Sequence, residues 1–428
     1  MDKTSNTTFQ FRIEERLLSD FKLACTKNQI KPSEALRSAM KQYVSKSEDR
    51  TEISDEEITV KNRMRDEKNI SIAEMYCGPG GIGLAAKKAS IKEGKSKFSF
   101  EHVWATDYHA DTCRTYAKNI FGDENSENVL CSDIRELDIS KLPYADGFLY
   151  GFPCNDFSNV GESKGLQGEF GPLYQYGVEY INKNNPKFIV AENVSGISNS
   201  NSGFAFKKIL SELSQAGEFG YELTTHLYKF EDYGIPQARH RFIVVGFRKD
   251  LNQRFKVPAP SRRQKSASDA IMNPPISSDA LNHDYTRQSK QVIERLKHIK
   301  PGENAWTAEL PEHLKLNVGG AKLSMIYKRL DPNKPAYTVT GSGGGGTHMY
   351  HWEEPRALTN RERARLQTFP DNFEFVGSKE SVRRQIGMAV PVDGAKIILE
   401  SILKCFAGQD YDFIKPNFDI ENILKDMN

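Results

Sequence analysis

Short apolar runs separated by glycine-rich turns and amphipathic segments dominate the chain from residue 70 onward. Five of these runs have the pattern of buried strands: residues 70–76, 103–106, 148–151, 188–190 and 242–247. They recur at the spacing of strand–helix–strand units, which place strands side by side in a parallel sheet and helices on its faces. The pattern predicts an α/β fold with a doubly wound, mostly parallel sheet.

Residues 1–46 follow a different pattern. Residues 8–13 alternate polar and apolar side chains, which is typical of a half-buried strand, and residues 17–24 repeat at helical spacing. After the break at Lys31-Pro32, Ser33 is the expected N-cap of a second helix. A strand and two helices in so few residues are too small to bury an apolar face alone.

This N-terminal pattern resembles the ribbon-helix-helix family. In that family two protomers pair their strands into a ribbon whose outward side chains enter the major groove of DNA. The resemblance implies that Thr8, Gln10 and Arg12 contact DNA, with operator DNA and a homodimer through the N-terminal strand as possible partners. A generic helical appendage or dimerisation arm is the alternative.

Composition divides the remaining chain further. Residues 47–69 are rich in charge and lack periodicity, as in a linker. Residues 70–250 hold the strand pattern, residues 251–345 are irregular, and residues 346–428 complete the chain. Between Asp250 and Thr340 there are 15 Lys or Arg against 9 Asp or Glu, whereas the whole chain has a net charge of only +2. The irregular lobe is therefore either a solvated surface or a face for DNA.

Cellular context follows from the cysteines and the apolar runs. The six cysteines are scattered and form no Cys-x-x-Cys pair, so a metal site is not expected and reduced, intracellular thiols are. No apolar run approaches the roughly 20 residues that cross a membrane, and the N-terminus lacks the apolar region of a signal peptide. We expect an intracellular protein that is not associated with a membrane.

Three predicted strand ends carry residues suited to a nucleotide-like cofactor. Residues 74–83 form a glycine-rich segment at the end of the first strand, where glycines let the backbone approach a ligand. The segment lacks the Gly-Lys-Ser/Thr of a P-loop. Asp107 ends the second strand, at a position that commonly binds ribose hydroxyls, and Asp133 lies at a further predicted strand end, between residues 106 and 148. These residues predict an adenosine-containing cofactor and leave NAD and S-adenosylmethionine open.

A possible nucleophilic site follows further along the chain. Cys154 comes just after a predicted buried strand, Glu192 stands at the edge of the next, and Arg239 and Arg241 precede another. Each residue alone has an ordinary structural interpretation, because single cysteines pack as small hydrophobes and charged residues occupy exposed faces. A thiol, a carboxylate and paired arginines in this order favour nucleophilic catalysis.

These motifs together resemble bacterial DNA cytosine-C5 methyltransferases. The resemblance covers residues 70–250 and about 325–405, and it includes the late segments 356–371 and 385–391. It implies that S-adenosylmethionine is the cofactor and double-stranded DNA the substrate, and that the irregular lobe recognises the target sequence. A cognate restriction endonuclease is a further implied functional partner, and the implied location is a bacterial cytoplasm, in association with the nucleoid.

The resemblance also assigns roles to individual residues. It makes Cys154 the nucleophile at C6 of a flipped-out cytosine, Glu192 the group at its N3 and exocyclic amine, and Arg239 and Arg241 the residues that hold the target phosphate and the base. Asn155, Gln237 and the glycine-rich run with Gly343 and Gly344 are expected on the DNA side. The implied cofactor contacts are Tyr76, Gly78, Gly80, Gly81, Asp107, Tyr108, Asp133, Ile134, Leu173, Met388 and Ala389.

The chain departs from the family pattern at three positions. Asn155 stands where the family usually has Gln, Met388 where it has Asn, and Glu74 where it has Asp. The nucleophile, carboxylate and arginines are all retained. The main expectation is site-specific methylation of cytosine C5 in DNA as part of a restriction-modification system, with self-regulation through the N-terminal unit. The alternatives are an RNA cytosine methyltransferase and a DNA-binding regulator with weak or no catalysis.

Overall fold

The computed structural model describes residues 15–27, 30–48, 67–152, 173–194, 204–261, 263–317, 323–344 and 346–425. The chain divides into two compact units, Met1–Arg65 and Asp66–Asn428. Five residues singled out above lie outside the described residues, so their roles stay predictions: Thr8, Gln10, Arg12, Cys154 and Asn155.

The first unit contains two helices, α1 (Glu15–Lys27) and α2 (Pro32–Glu48). The second helix begins at Pro32 itself, so the prediction that Ser33 caps it is wrong. Proline suits the first helical position because its fixed φ is helical and its missing N–H is not needed there. Cys25 is buried, whereas Leu23, Leu36 and Met40 are exposed.

The second unit is built on a mixed sheet. Its strands, with two-residue strands included, are β1 (Glu67–Met75), β2 (Ser90–Glu93), β3 (Ser96–Asp107), β4 (Val129–Cys131), β5 (Gly147–Tyr150), β6 (Phe188–Val194), β7 (Tyr221–Lys229), β8 (Gln237–Ala238), β9 (His240–Arg248), β10 (Val257–Pro258), β11 (Ala336–Tyr337) and β12 (Phe413–Ile414). Its helices are α3 (Gly81–Lys88), α4 (Ala110–Tyr116), α5 (Tyr174–Asn184), α6 (Phe204–Gln215), α7 (Ala267–Met272), α8 (Lys290–Lys297), α9 (Asn360–Leu366), α10 (Lys379–Met388), α11 (Val392–Ala407) and α12 (Ile420–Lys425).

The main sheet has the order β2-β3-β1-β5-β6-β9-β7, with β4 beside β3. Strands β4, β3, β1, β5 and β6 run parallel, which confirms the predicted α/β sheet. Strand β9 is antiparallel to both of its neighbours, β6 and β7. The residues between β7 and β9 contain only a short 3₁₀ turn and β8, and such a short connection returns the chain antiparallel.

The core lies on both faces of this sheet. Ile72 faces one apolar cluster, which includes α3 and α11, and Ala73 faces the other, which includes α5 and α6. This alternation is the period of two expected of a strand that is buried on both faces. The sheet is therefore covered by helices on both sides, and the carboxyl ends of its parallel strands lie together along one edge.

The predicted recognition segment, residues 251–345, is continuous with this core at its ends. Val257 and Ala336 belong to the cluster around α3 and α11, whereas Leu296 and Leu314 form a small separate cluster. Two short ladders anchor the segment, β10 with β12 and β11 with β8. The domain boundaries given above remain predictions. No helix within the described residues is both long and apolar enough to cross a membrane.

Candidate active site

A cavity of about 290 Å³ opens at the carboxyl ends of β1, β3, β5 and β6. In sheets of this type ligands bind outside the carboxyl ends of the strands, where the connections diverge. Of the residues that the sequence predicts for the site, the lining contains Tyr76, Gly78, Gly81, Asp107, Tyr108, Glu192, Arg239, Arg241, Met388 and Ala389.

The glycine-rich segment after β1 turns sharply along one wall of the cavity. Tyr76, Gly78 and Gly80 all have positive φ angles, of 58°, 55° and 97°. Only glycine adopts such angles without strain, so the two glycines suit this turn. Gly80 ends the turn as the residue before α3. The Tyr76 hydroxyl donates a hydrogen bond of 2.7 Å to the carbonyl oxygen of Leu173, which ties the segment to the start of α5.

Asp107, at the end of β3, bonds to the glycine-rich turn. Its carboxylate accepts hydrogen bonds from the backbone N–H groups of Gly78, at 3.1 Å, and His109, at 3.0 Å. Burial raises the pKa of Asp107. Tyr108, the next residue, is 72% exposed and presents its ring at the cavity.

Asp133 and Ile134 lie beside the cavity and do not line it. Asp133 precedes a short 3₁₀ turn and accepts hydrogen bonds from the backbone and the side chain of Arg135. Those hydrogen bonds lower the pKa of Asp133. Ile134 and Leu173 are buried in the apolar cluster against which Tyr76 packs. Asp133, Ile134 and Leu173 are therefore all close to the glycine-rich turn that follows β1.

The end of α10 closes the cavity, as the sequence predicts for the late segment. A side-chain carbon at Gly81 would collide with the carbonyl oxygen of Val390, so these two segments touch along the backbone. Ala389 is buried, whereas Met388 is 55% exposed. A wall made of backbone depends little on the Met388 side chain.

Glu192 and Arg241 form an ion pair in the cavity. The Nε atom of Arg241 lies 2.8 Å from a carboxylate oxygen of Glu192, and both side chains are mostly buried. The two residues face each other because β6 and β9 pair antiparallel. Asn193, the next residue, donates a hydrogen bond of 3.2 Å to the carbonyl oxygen of Phe152. That bond fixes the chain two residues before Cys154.

Arg239 is 1% exposed, and its guanidinium connects separate segments of the chain. It donates hydrogen bonds to the carbonyl oxygens of Val339, at 3.0 Å, and Gly387, at 3.0 Å, and a longer one to Met388. The Arg239 guanidinium is therefore engaged by backbone at the wall of the cavity, whereas that of Arg241 contacts Glu192.

Three residues expected on the DNA side differ in their surroundings. Gln237 is fully buried and bonds to the amide of Gln367 and the backbone of Val339. The amide of Gln237 is occupied inside the protein, so the contact of Gln237 with DNA stays a prediction that this structure does not test. Gly344 has a φ of 113° with open space around it, whereas Gly343 packs against Arg383.

Glu74 is a buried residue of the site whose only signal in the sequence is its departure from the usual Asp. It lines the cavity and accepts a hydrogen bond of 2.8 Å from the hydroxyl of Tyr116. Burial raises the pKa of Glu74 to about 8. A partner 42 residues away on α4 leaves no local signal in the sequence, so this pair could not be found from spacing.

The chain matches the family model of C-5 cytosine-specific DNA methylases over residues 70–404. It belongs to that family. The enzyme transfers a methyl group from S-adenosylmethionine to C5 of cytosine in DNA. The RNA-directed alternative is not favoured.

Named relatives support this assignment over most of their length. The methyltransferase is 55% identical to the Type II methyltransferase M.BbvI of Brevibacillus brevis, over 82% of this chain and 95% of the relative. It is 37% identical to M.NgoFVII of Neisseria gonorrhoeae, over 78% of this chain and 87% of the relative. The fold is similar to a putative DNA modification methyltransferase from an Escherichia coli prophage, with a TM-score of 0.61 at 23% identity, over 79% of this chain and 99% of that one.

The residues at the cavity fit S-adenosylmethionine. A side-chain carbon at Gly78 would meet nothing within 4 Å, so the turn leaves open space at the wall of the cavity. Each oxygen of the Asp107 carboxylate has one backbone partner, which leaves acceptor capacity for ribose hydroxyls. The exposed ring of Tyr108 offers a face on which an aromatic base can stack.

Proposed function

We propose that the methyltransferase works through Cys154 as nucleophile, Glu192 as the group that stabilises the reacting cytosine, and Arg241 as the residue that orients Glu192. The observation that carries this proposal is the Glu192–Arg241 ion pair inside the cavity, next to the residues that lead into Cys154. Gly151 and Phe152 line the same cavity, so the chain enters the Cys154 segment at its wall.

The reaction follows from the electronic structure of the ring. The thiolate of Cys154 adds to C6 of cytosine, which makes C5 nucleophilic. Glu192 holds a proton shared with N3 and accepts from the exocyclic amine, which stabilises the charge that develops on the ring. Bound S-adenosylmethionine supplies the methyl group as an electrophile. Loss of the C5 proton and departure of the Cys154 sulfur then restore the aromatic ring as 5-methylcytosine.

The base must leave the duplex before Cys154 can reach it. Flipping a nucleotide out costs a few kcal/mol of stacking and pairing energy. A cavity walled by the ends of several strands can receive the flipped base beside the cofactor. We propose that Arg239 keeps this cavity in shape by tying residues 339, 387 and 388 together.

Two substitutions test the catalytic assignment. Cys154→Ser is expected to abolish methylation of duplex DNA and to leave S-adenosylmethionine binding unchanged, as measured by calorimetry. Glu192→Gln is expected to lower the single-turnover rate by about 10²-fold, because one positioned hydrogen-bonding group commonly contributes that much. Methylation at the normal rate by Cys154→Ser would exclude Cys154 as the nucleophile.

We further propose that the enzyme is the modification partner of a restriction endonuclease and acts on the chromosome in a bacterial cytoplasm. The support is its similarity to two relatives named Type II methyltransferases. The test is expression in a host that lacks 5-methylcytosine, with methylation mapped at base resolution across the genome. One sequence context is expected, and methylation scattered over unrelated contexts would contradict the proposal.

We propose a separate role for the first unit, as a dimerising module that binds operator DNA. Exposed apolar side chains on α1 and α2 support a partner surface there, since Leu23, Leu36 and Met40 are all open to solvent. Arg12→Ala is expected to weaken binding to the gene's own promoter without changing methylation. Equal promoter binding by Arg12→Ala and the wild type in an electrophoretic shift assay would contradict this role.

A further inference from the structure

Helix α9 carries two buried arginines that differ in their hydrogen bonding. Arg361 and Arg363 are both about 1% exposed or less. The guanidinium of Arg361 donates to the carbonyl oxygens of Leu281, Pro370 and Phe373 at 2.7–2.9 Å. Arg363 has one long hydrogen bond, 3.4 Å to Thr340, and its Nε and Nη2 atoms have no partner among the described residues.

A buried cation with a single long hydrogen bond is costly, because the charge has left water and gained little in return. The adjacent carboxylate does not offset this cost, since Glu362 is engaged by two hydrogen bonds from Arg356. Within the described residues Arg363 has no ion pair. Such a residue is destabilising in the free protein and calls for a ligand that supplies the missing charge.

A second arginine lies at the same place. The Nε atom of Arg383, on α10, donates a hydrogen bond of 3.3 Å to Gly341, and Gly343 packs directly against its guanidinium. Both Arg363 and Arg383 act, after burial, to lower the pKa of the neighbouring His348 to about 4. The two guanidiniums and a neutral histidine therefore form one cationic cluster.

The glycine-rich loop, which includes Gly341, Gly343, Gly344 and Gly346, meets this cluster through residues without side chains, and the hydroxyl of Ser342 bonds to that of Thr340. Side chains at Gly341 or Gly343 would press against Arg384 or Arg383, and one at Gly346 would press against Tyr327. The loop begins at the cavity, because Gly341 and Gly387 are in backbone contact and Gly387 lines the cavity. An anion held here would lie next to the flipped base.

We propose that Arg363 and Arg383, with the backbone of the glycine-rich loop, form a binding site for one phosphodiester group of the DNA strand beside the target cytosine. Guanidiniums suit this ligand because their planar donors match phosphate oxygens. The loop shifts when DNA binds, and the unpartnered atoms of Arg363 gain the phosphate as their acceptor. This inference rests on the proposed function in so far as the ligand is duplex DNA.

The test compares Arg363→Met and Arg383→Gln with Arg361→Met, a matched control on the same helix as Arg363. Binding of a labelled duplex is measured by fluorescence anisotropy between about 50 mM and 200 mM salt, with the thermal midpoint of each free protein. Each lost phosphate contact lowers the slope of log K against log salt by about 0.9. Both test variants are expected to show that loss, and Arg363→Met is expected to keep or raise the thermal midpoint.

The control variant, Arg361→Met, is expected to have a lower thermal midpoint than the wild type, because it loses the hydrogen bonds to three carbonyl oxygens. A reduced midpoint with an unchanged salt slope for Arg363→Met would make Arg363 a structural residue and overturn the proposal. An unchanged slope for Arg383→Gln would overturn it as well, even if Arg363→Met did not fold. Failure of the wild-type enzyme to bind or methylate duplex DNA would instead count against the proposed function.

Discussion

Glu74 is an acidic side chain in the cavity that has no ion pair among the described residues. Its hydrogen-bond donor is the hydroxyl of Tyr116, and Gly83 leaves room for that ring, since a side-chain carbon there would lie 2.7 Å from the Tyr116 oxygen. Burial raises the pKa of Glu74 from its ordinary 4.5 to about 8, and the nearby Asp107 adds to the effect. The carboxyl group therefore carries a proton at neutral pH.

That proton makes folding dependent on pH. Below pH 4.5 both folded and unfolded states hold it; between 4.5 and about 8 only the folded state does, so stability falls as pH rises. The loss is up to about 1.4 kcal/mol per pH unit. Glu74→Gln should flatten this dependence in urea titrations from pH 5 to pH 8, whereas Glu93→Gln, on an exposed part of β2, should not. A parallel pH profile for Glu74→Gln and wild type would contradict the assignment.

The Glu192–Arg241 pair is the other residue-scale feature with a measurable consequence. Arg241→Met leaves a mostly buried carboxylate without its cation, and breaking a buried pair in this way costs about 3–5 kcal/mol. We expect the methylation rate to fall, because the Glu192 carboxylate loses the partner that orients it. Arg241→Lys should retain part of the activity. Equal rates for Arg241→Met and wild type in single-turnover assays would rule out the orienting role.

At the scale of elements, contact between α3 and the segment after α10 forms the cavity wall. Gly81→Ala would push its methyl group into the backbone of Val390, so we expect S-adenosylmethionine affinity to fall by at least about tenfold, since close backbone packing tolerates no added carbon. Gly94→Ala, in the open turn between β2 and β3, is the matched control because it adds strain without a collision. Equal affinities of Gly81→Ala and the wild type for S-adenosylmethionine in calorimetry would show that the backbone at Val390 shifts to accommodate the added methyl group.

Arg239, which directly precedes β9, also connects separate elements. Its hydrogen bonds join the start of β9 to the segments at residues 339 and 387–388. Arg239→Met removes hydrogen bonds to carbonyl oxygens in the interior, and each unsatisfied group costs about 1–3 kcal/mol. We expect a lower thermal midpoint and weaker cofactor binding. Arg254→Met, at an exposed pair with Glu222, should change neither property. Unchanged cofactor affinity in Arg239→Met would show that Arg239 does not shape the cofactor pocket.

At the scale of the whole molecule, Asp66–Asn428 is a compact unit with its own core. Removal of residues 1–65 is expected to keep the methylation rate within about twofold, because a unit with its own core can fold alone. Light scattering should show whether the chain becomes monomeric. The cut belongs at residue 65, since β1 begins at Glu67 and pairs from that residue with Lys97. Loss of folded protein would show that the first unit supports the second.

The sequence predicted the parts of the fold whose signal is local. Strands β1, β5 and β6 are apolar runs, and the glycines after β1 are confined to a turn that needs them. Strand β7 escaped prediction because Glu222, Thr224 and His226 interrupt its apolar pattern while the sheet still buries two of the three. The pairs Glu74–Tyr116 and Gln237–Gln367 were out of reach because their partners are far apart in the chain and only the folded sheet brings them together.

The anchoring of both ends of the recognition segment in the core has an evolutionary consequence. Val257 and Ala336 belong to one apolar cluster, and the backbone N–H of Ala267 donates a hydrogen bond of 2.8 Å to the carbonyl oxygen of Lys334, so the chain leaves the catalytic framework and returns to it at neighbouring points. An insertion between two adjacent points can change in length and sequence without moving what lies outside them. New target sequences could thus be acquired by exchange of one continuous stretch of gene, while the chemistry at the strand ends is inherited unchanged.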